Sequence, residues 1–282
     1  MDDLIGRLPE LPHVVWTLIL VPIFGVLGGL VGVAVRRWID GRWAYLVPML
    51  IGFAVANASA NLIADAQAGD REAKKLVAEL AETEPMKTII RLEPPVRGEL
   101  EKGIVSAMRG GTAEQKVAAA RGVAGNIVKV RFAGAIPSAG AAQLHRAAAS
   151  ELAALRALES RPTLCVDLYL GRGLPNIDQI EPGIGKEMLA AKAAVIESAA
   201  TRPEKLETLL TQNEIIGLIT RAAEARGGDH SALSKIGRIA ELPPEEGCAI
   251  ATRIETLLVD LDPKETAAVM KTFWSLSAAA PK

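Results

Sequence analysis

At 282 residues the chain has room for one ample soluble domain beside an anchor, and its net charge of −1 leaves no basic field to draw it to nucleic acid. Half of its residues are hydrophobic but only 4% are aromatic. Ala, Leu, Glu, Lys and Arg make up much of the remainder, which favours helix throughout and predicts an all-α fold: a two-helix transmembrane hairpin followed by a multi-helix soluble bundle.

A short N-terminal tail, residues 1–13, precedes two apolar runs within 14–64. The first, about 14–35, contains no charged residue, and the second, about 44–64, carries only Asn57 and Asn61 as amides. Each is long enough to cross a hydrocarbon layer about 30 Å thick as a helix. A charge at mid-bilayer costs about 2.5–3.5 kcal/mol, so an uncharged run of this length points to lipid rather than to a protein core. Trp16, Trp38, Trp43 and Tyr45 fall near the ends of the runs, at the level where amphipathic rings settle. A cleaved signal peptide is the competing reading, but the tail carries Asp2, Asp3 and Glu10 against Arg7, not the basic region such a signal needs.

Small residues recur one turn apart in both spans: Gly25 with Gly29, Gly28 with Gly32, and Gly52 with Ala56 and Ala60. Such rows let helix backbones approach closely in lipid, and Asn57 and Asn61 add amides that favour a protein-facing side. The bland reading is packing of the two spans on each other; the sharper one is a homo-oligomer or docking on another membrane protein. The connecting loop packs Arg36, Arg37 and Arg42 together, which places it on the cytoplasmic side and the soluble domain on the periplasmic side of a bacterial inner membrane.

Residues 65–95 read as a juxtamembrane helix with Ala73, Leu76, Val77 and Leu80 on one stripe, followed by a hinge at Pro94 and Pro95. The soluble domain is expected over 96–282. There T-A-E-Q at Thr112 matches a capping box, and Leu144, Ala148, Leu152, Leu155 and Leu158 form a helical stripe. A short buried helix is expected from Pro162 to the glycine at 171. A second capping box, T-R-P-E at Thr201, predicts a helix that places Leu206, Leu209, Leu210, Ile216, Ile219 and Ala223 on one face. Three more helices are expected at 230–240, 244–259 and 263–279, the last capped by Asp262 with Glu265 at N3.

Cys165 and Cys248 permit one bridge, which an outward-facing domain would form; beside apolar neighbours each also fits an ordinary buried thiol. The irregular segment after Gly171 is the leading recognition surface, with Arg172, Asn176 and Asp178 as its candidate interaction residues.

Templates for chemistry fail. GIGK at Gly183–Lys186 lacks the first glycine of a phosphate loop and has Glu187 in place of the metal-binding hydroxyl, and IPSAG at Ile136–Gly140 lacks the first glycine of a nucleophile elbow. The three histidines are far apart. Glu245 and Glu246 after two prolines fit a helix N-terminus better than an acid/base pair. No cofactor, metal or catalytic residue is therefore assigned. The expected function is a non-enzymatic, membrane-anchored protein-interaction or scaffold module of the bacterial envelope, with another envelope or membrane protein as partner. The alternatives are an envelope hydrolase with an unfamiliar helical site and an accessory subunit of a transport or secretion complex.

Overall fold

The computed structural model describes residues 71–108, 112–172, 180–206, 208–228 and 233–279. Among them every regular element is helical. No described helix is long and apolar enough to cross a membrane. The hairpin expected at 14–64, and with it Gly25, Gly28, Gly29, Gly32, Gly52, Ala56, Asn57, Ala60 and Asn61, lies outside the described residues.

The chain divides into two compact units, Met1–Leu76 and Val77–Lys282. A helix, α1, covers 71–81 and contains the boundary. A turn at 82–85, just ahead of Met86, ends α1, and α2 (Met86–Leu92) follows. Pro94 and Pro95 then form a tight turn inside the second unit, because Pro95 caps α3 (Val96–Ala107) and Val96 is buried. Arg131 holds both flanks of that turn, bonding Glu93 at 3.1 Å and Glu99 at 3.2 Å.

The expected capping box opens α4 (Ala113–Ala135): Thr112 accepts from the Gln115 amide, and the Gln115 side chain accepts from the Thr112 amide. Gly122 and Gly125 leave α4 unbroken. A 3-10 turn, Ile136–Ser138, leads into α5 (Ala141–Ala157), on which four later helices converge: α6 (Pro162–Tyr169), α7 (Pro182–Thr201), α9 (Pro244–Asp260) and α10 (Pro263–Ala279) all pack against it. The sequence suits that position. Leu144, Ala148, Leu152, Leu155 and Leu158 are all buried as the stripe predicts, and Ala147 and Ala154 bury the flanks, where small side chains allow close approach from several sides.

The capping box read at Thr201 is absent. Thr201 is the last residue of α7, its hydroxyl donates to the Glu197 carbonyl, and Pro203 prevents the helix from continuing. Residues 203–206 and 208–210 are not helical, and the true cap lies at Thr211, which opens α8 (Gln212–Glu224) with Glu214 at N3. This shifts the buried face: Ile215, Ile219, Ala222 and Ala223 face the core, while Leu209 and Ile216 are exposed. Leu210 at N′ and Ile215 at N4 belong to one apolar cluster, the arrangement of a hydrophobic staple. A 3-10 stretch, Leu233–Glu241, replaces the α-helix expected there. Asp262 caps α10 as read, its carboxylate accepting from the Lys264 amide at 2.8 Å and the Glu265 amide at 3.0 Å.

Candidate functional site

Cys165 on α6 and Cys248 on α9 are joined by a disulfide, with Cα atoms 5.5 Å apart across a separation of 83 residues. Both are buried, at 0% and 3% exposure, in an apolar cluster with Leu155, Leu158, Met188, Ile239 and Ile254. Pro162 at the start of α6 and Pro244 at the start of α9 set both helix entries. Gly247 allows the approach, since a Cβ there would lie 3.0 Å from Val166 and 3.3 Å from the Ile239 carbonyl.

Beyond the bridge along the same helix faces lies a polar layer that sequence reading missed. Tyr169 stands one turn after Cys165. Glu255 continues the stripe Cys248–Ala251, Glu151 interrupts the stripe between Ala148 and Leu155, and Lys192 interrupts the one between Met188 and Val195. All four side chains are half-buried, whereas Ala148, Leu155, Met188, Val195 and Ala251 beside them are buried. The surrounding protein pushes the Glu151 carboxyl above its ordinary range, and Lys192 works against that rise. Burial, then the charge of Glu151, pushes Glu255 higher still. Burial followed by both carboxylates raises the Tyr169 phenol. Lys192 also lies over the Phe132 ring, 5.4 Å from its centroid, so its charge is shared between a carboxylate and a π face. The visible signal was a single charge at a stripe position on each of three helices, which a search for known motifs passes over.

A second assembly involves the irregular segment after α7. The Glu204 amide donates to the Ser138 carbonyl at 2.8 Å, and its carboxylate accepts from the Ala141 amide at 3.1 Å, the first residue of α5. Lys271, 4% exposed on α10, donates to the Glu204 carbonyl, and Thr272 accepts from the Leu210 amide at 3.1 Å. Burial holds the Lys271 amine below its ordinary value, opposed by Glu204. The segment is thus strapped across the start of α5 and the middle of α10. Its groups serve as caps and anchors.

Arg172, exposed, follows Gly171, which adopts a φ of 60° and accepts at its carbonyl from Lys129 at 2.8 Å. Asn176 and Asp178 lie outside the described residues, and Ile180 is buried. The Gly183–Lys186 motif forms the first turn of α7 rather than a loop. Glu245 and Glu246 stand in the first turn of α9, as expected for dipole compensation, and Glu246 pairs with Lys235 at 2.6 Å. His145 lies 3.1 Å from the Val259 carbonyl. Among the described residues no group of three or more His, Cys, Asp or Glu is placed to hold a metal.

Compared with protein-family models, with curated proteins and with solved structures, the chain matches none.

Proposed function

We propose that this protein is a membrane-anchored, non-enzymatic interaction or scaffold module of the bacterial envelope, with the helical unit on the periplasmic side of the inner membrane. The observation that carries the reading is the buried Cys165–Cys248 bridge. Disulfides persist in oxidising compartments and are rare where thiol reductants dominate, so the bridge argues for the same orientation as the arginine-rich loop at 36–42. Two independent physical signals, charge near the spans and oxidation state of the domain, then agree. The apolar runs at 14–35 and 44–64 supply the anchor, and Arg172, Asn176 and Asp178 supply the interaction residues.

The test is thiol labelling of the full chain in intact cells. Both cysteines should resist alkylation until a reductant is added, and a phosphatase fused after Lys282 should be active. Free thiols with an inactive fusion would overturn the orientation. Alanine at Arg172, Asn176 and Asp178 should abolish co-purification of a partner envelope protein from mild detergent while leaving the bridge intact.

A second reading, an envelope hydrolase, draws on Glu151 and Glu255, because burial raises both carboxyls above their ordinary range, the direction a general acid needs. Loss of function in Glu255→Gln with every partner still bound would favour it.

A further inference from the structure

We propose that the segment at 203–210 is a displaceable internal ligand, and that the seat it occupies, at the start of α5 and the middle of α10, is a docking groove for an extended acidic segment of a partner protein. Neither the loop at Arg172 nor the orientation of the chain in a membrane enters this inference. Burial differs sharply between the strap and its seat. None of the described residues from 201 to 214 is buried, and Glu204 itself is exposed. Lys271, by contrast, is 4% exposed, and Thr272, Ile136 and Ala139 are fully buried.

The seat reads mostly main chain. The Glu204 amide donates to the Ser138 carbonyl at 2.8 Å, the Glu204 carbonyl accepts from Lys271, and the Leu210 amide donates to Thr272 at 3.1 Å. Among the described residues the Lys271 and Thr272 side chains make no other hydrogen bond or ion pair. Two polar side chains of α10 are therefore buried with one irregular segment as their partner, and burial without a partner is costly. Recognition through main-chain groups is how grooves hold extended peptides, because it admits any sequence that can lie in the same register. Selectivity comes from the one side-chain contact. The Glu204 carboxylate accepts from the amide of Ala141, the first residue of α5, at 3.1 Å across 63 positions. Gly140 at the N-cap of α5 makes no side-chain cap and the first turn carries no acid, so the helix takes its capping carboxylate from outside. A helix N-terminus and a buried ammonium both reach this one residue, and both favour an acid at that register.

The strap is suited to leave. It joins α7, which ends ahead of Pro203, to α8, whose start is set by the Thr211 box, so its departure breaks no bond within either helix. While closed it competes with an outside segment at an effective concentration on the order of millimolar. The apparent affinity for that segment is the intrinsic one reduced by the open fraction. Removing the Glu204 carboxylate takes away a helix-capping bond and should raise the open fraction about tenfold.

The test is fluorescence anisotropy of a labelled, end-capped peptide copying residues 203–210, titrated with the full chain in mild detergent. Glu204→Ala in the chain should bind this peptide about tenfold more tightly than wild type does. A Glu204→Gln version of the peptide should bind that variant about tenfold more weakly than the unaltered peptide. No binding to the Glu204→Ala chain, or equal binding of the two peptides, would overturn the proposal. So would a Glu204→Ala chain that self-associates instead of taking the peptide, an outcome that gives the groove to the strap of a second copy. Amide exchange supplies a measurement that needs no variant to fold. Saturating peptide should speed exchange at the Glu204 and Leu210 amides of the wild-type chain itself. Unchanged exchange there would place the peptide elsewhere and reject displacement.

Discussion

Gly103 shows how a single missing methyl sets a helix contact. A Cβ at this position of α3 would lie 2.6 Å from Cγ1 of Val123 on α4, and a β-branched neighbour cannot swing aside freely. Gly103→Ala is expected to lower stability by about 1–3 kcal/mol, the usual range for overpacking, read as a lower urea midpoint. Gly122 supplies the contrast, since nothing lies within 4 Å of its would-be Cβ and it sits inside α4. Gly122→Ala should raise stability by about 0.5–1 kcal/mol through helix propensity alone. Two glycines in neighbouring helices thus answer to different physics, and only the packing separates them.

At the scale of elements, the start of α8 is set by chemistry that recurs in the chain. Thr211 and Glu214 bond reciprocally across the first turn, with Glu214 accepting the Thr211 amide at 2.7 Å and Thr211 accepting the Glu214 amide at 3.3 Å. Thr211→Ala should cost about 0.5–2 kcal/mol, measured by urea unfolding at neutral pH. These bonds hold the Glu214 carboxyl below its ordinary value of 4.5. Its contribution is present above that value and lost as pH falls through the lowered one. The acid-side loss should therefore shrink in Thr211→Ala. This sign is opposite to that of Glu255, whose raised carboxyl favours the acid side, so the two ends of the pH profile report on different helices. Among the described residues, the N-termini at Thr112, Thr211 and Asp262 use the same reciprocal box. The match at Thr201 fails because Pro203 stops the preceding helix there.

For the whole molecule, the bridge between α6 and α9 closes a loop of 83 residues. Cross-linking removes unfolded-state freedom, and loss of a native disulfide costs about 2–5 kcal/mol in small secreted domains. Replacing both cysteines with alanine should lower the urea midpoint of the full chain on that scale, and adding reductant to wild type should reproduce the loss. Single replacements should leave one buried thiol and a similar loss. On the proposed function, the double variant should also weaken binding of a partner at Arg172 even where the domain stays folded, because the bridge holds α6 just ahead of that residue. Sedimentation of the full chain with membranes, and its release by detergent but not by salt, is the outcome expected from the apolar runs at 14–35 and 44–64.

Composition and periodicity alone determined that the described chain is helical, where α5 buries its leucines and how α10 begins, because these depend on residues within a few positions of each other. The cysteine count limited the chain to one possible bridge, but only the packing of α6 on α9 brought the two sulfurs together. The polar layer was equally hidden. Glu151, Lys192, Tyr169 and Glu255 each look like an isolated departure from an apolar stripe, and their meaning depends on four helices meeting at one level. The end of α7 was misread for the same reason: a local cap motif at Thr201 competed with a helix arriving from Pro182 and with anchors at Ser138, Lys271 and Thr272 far along the chain. Local hydrogen bonding is encoded by neighbours in sequence, whereas charge compensation and strap contacts are encoded by neighbours in space.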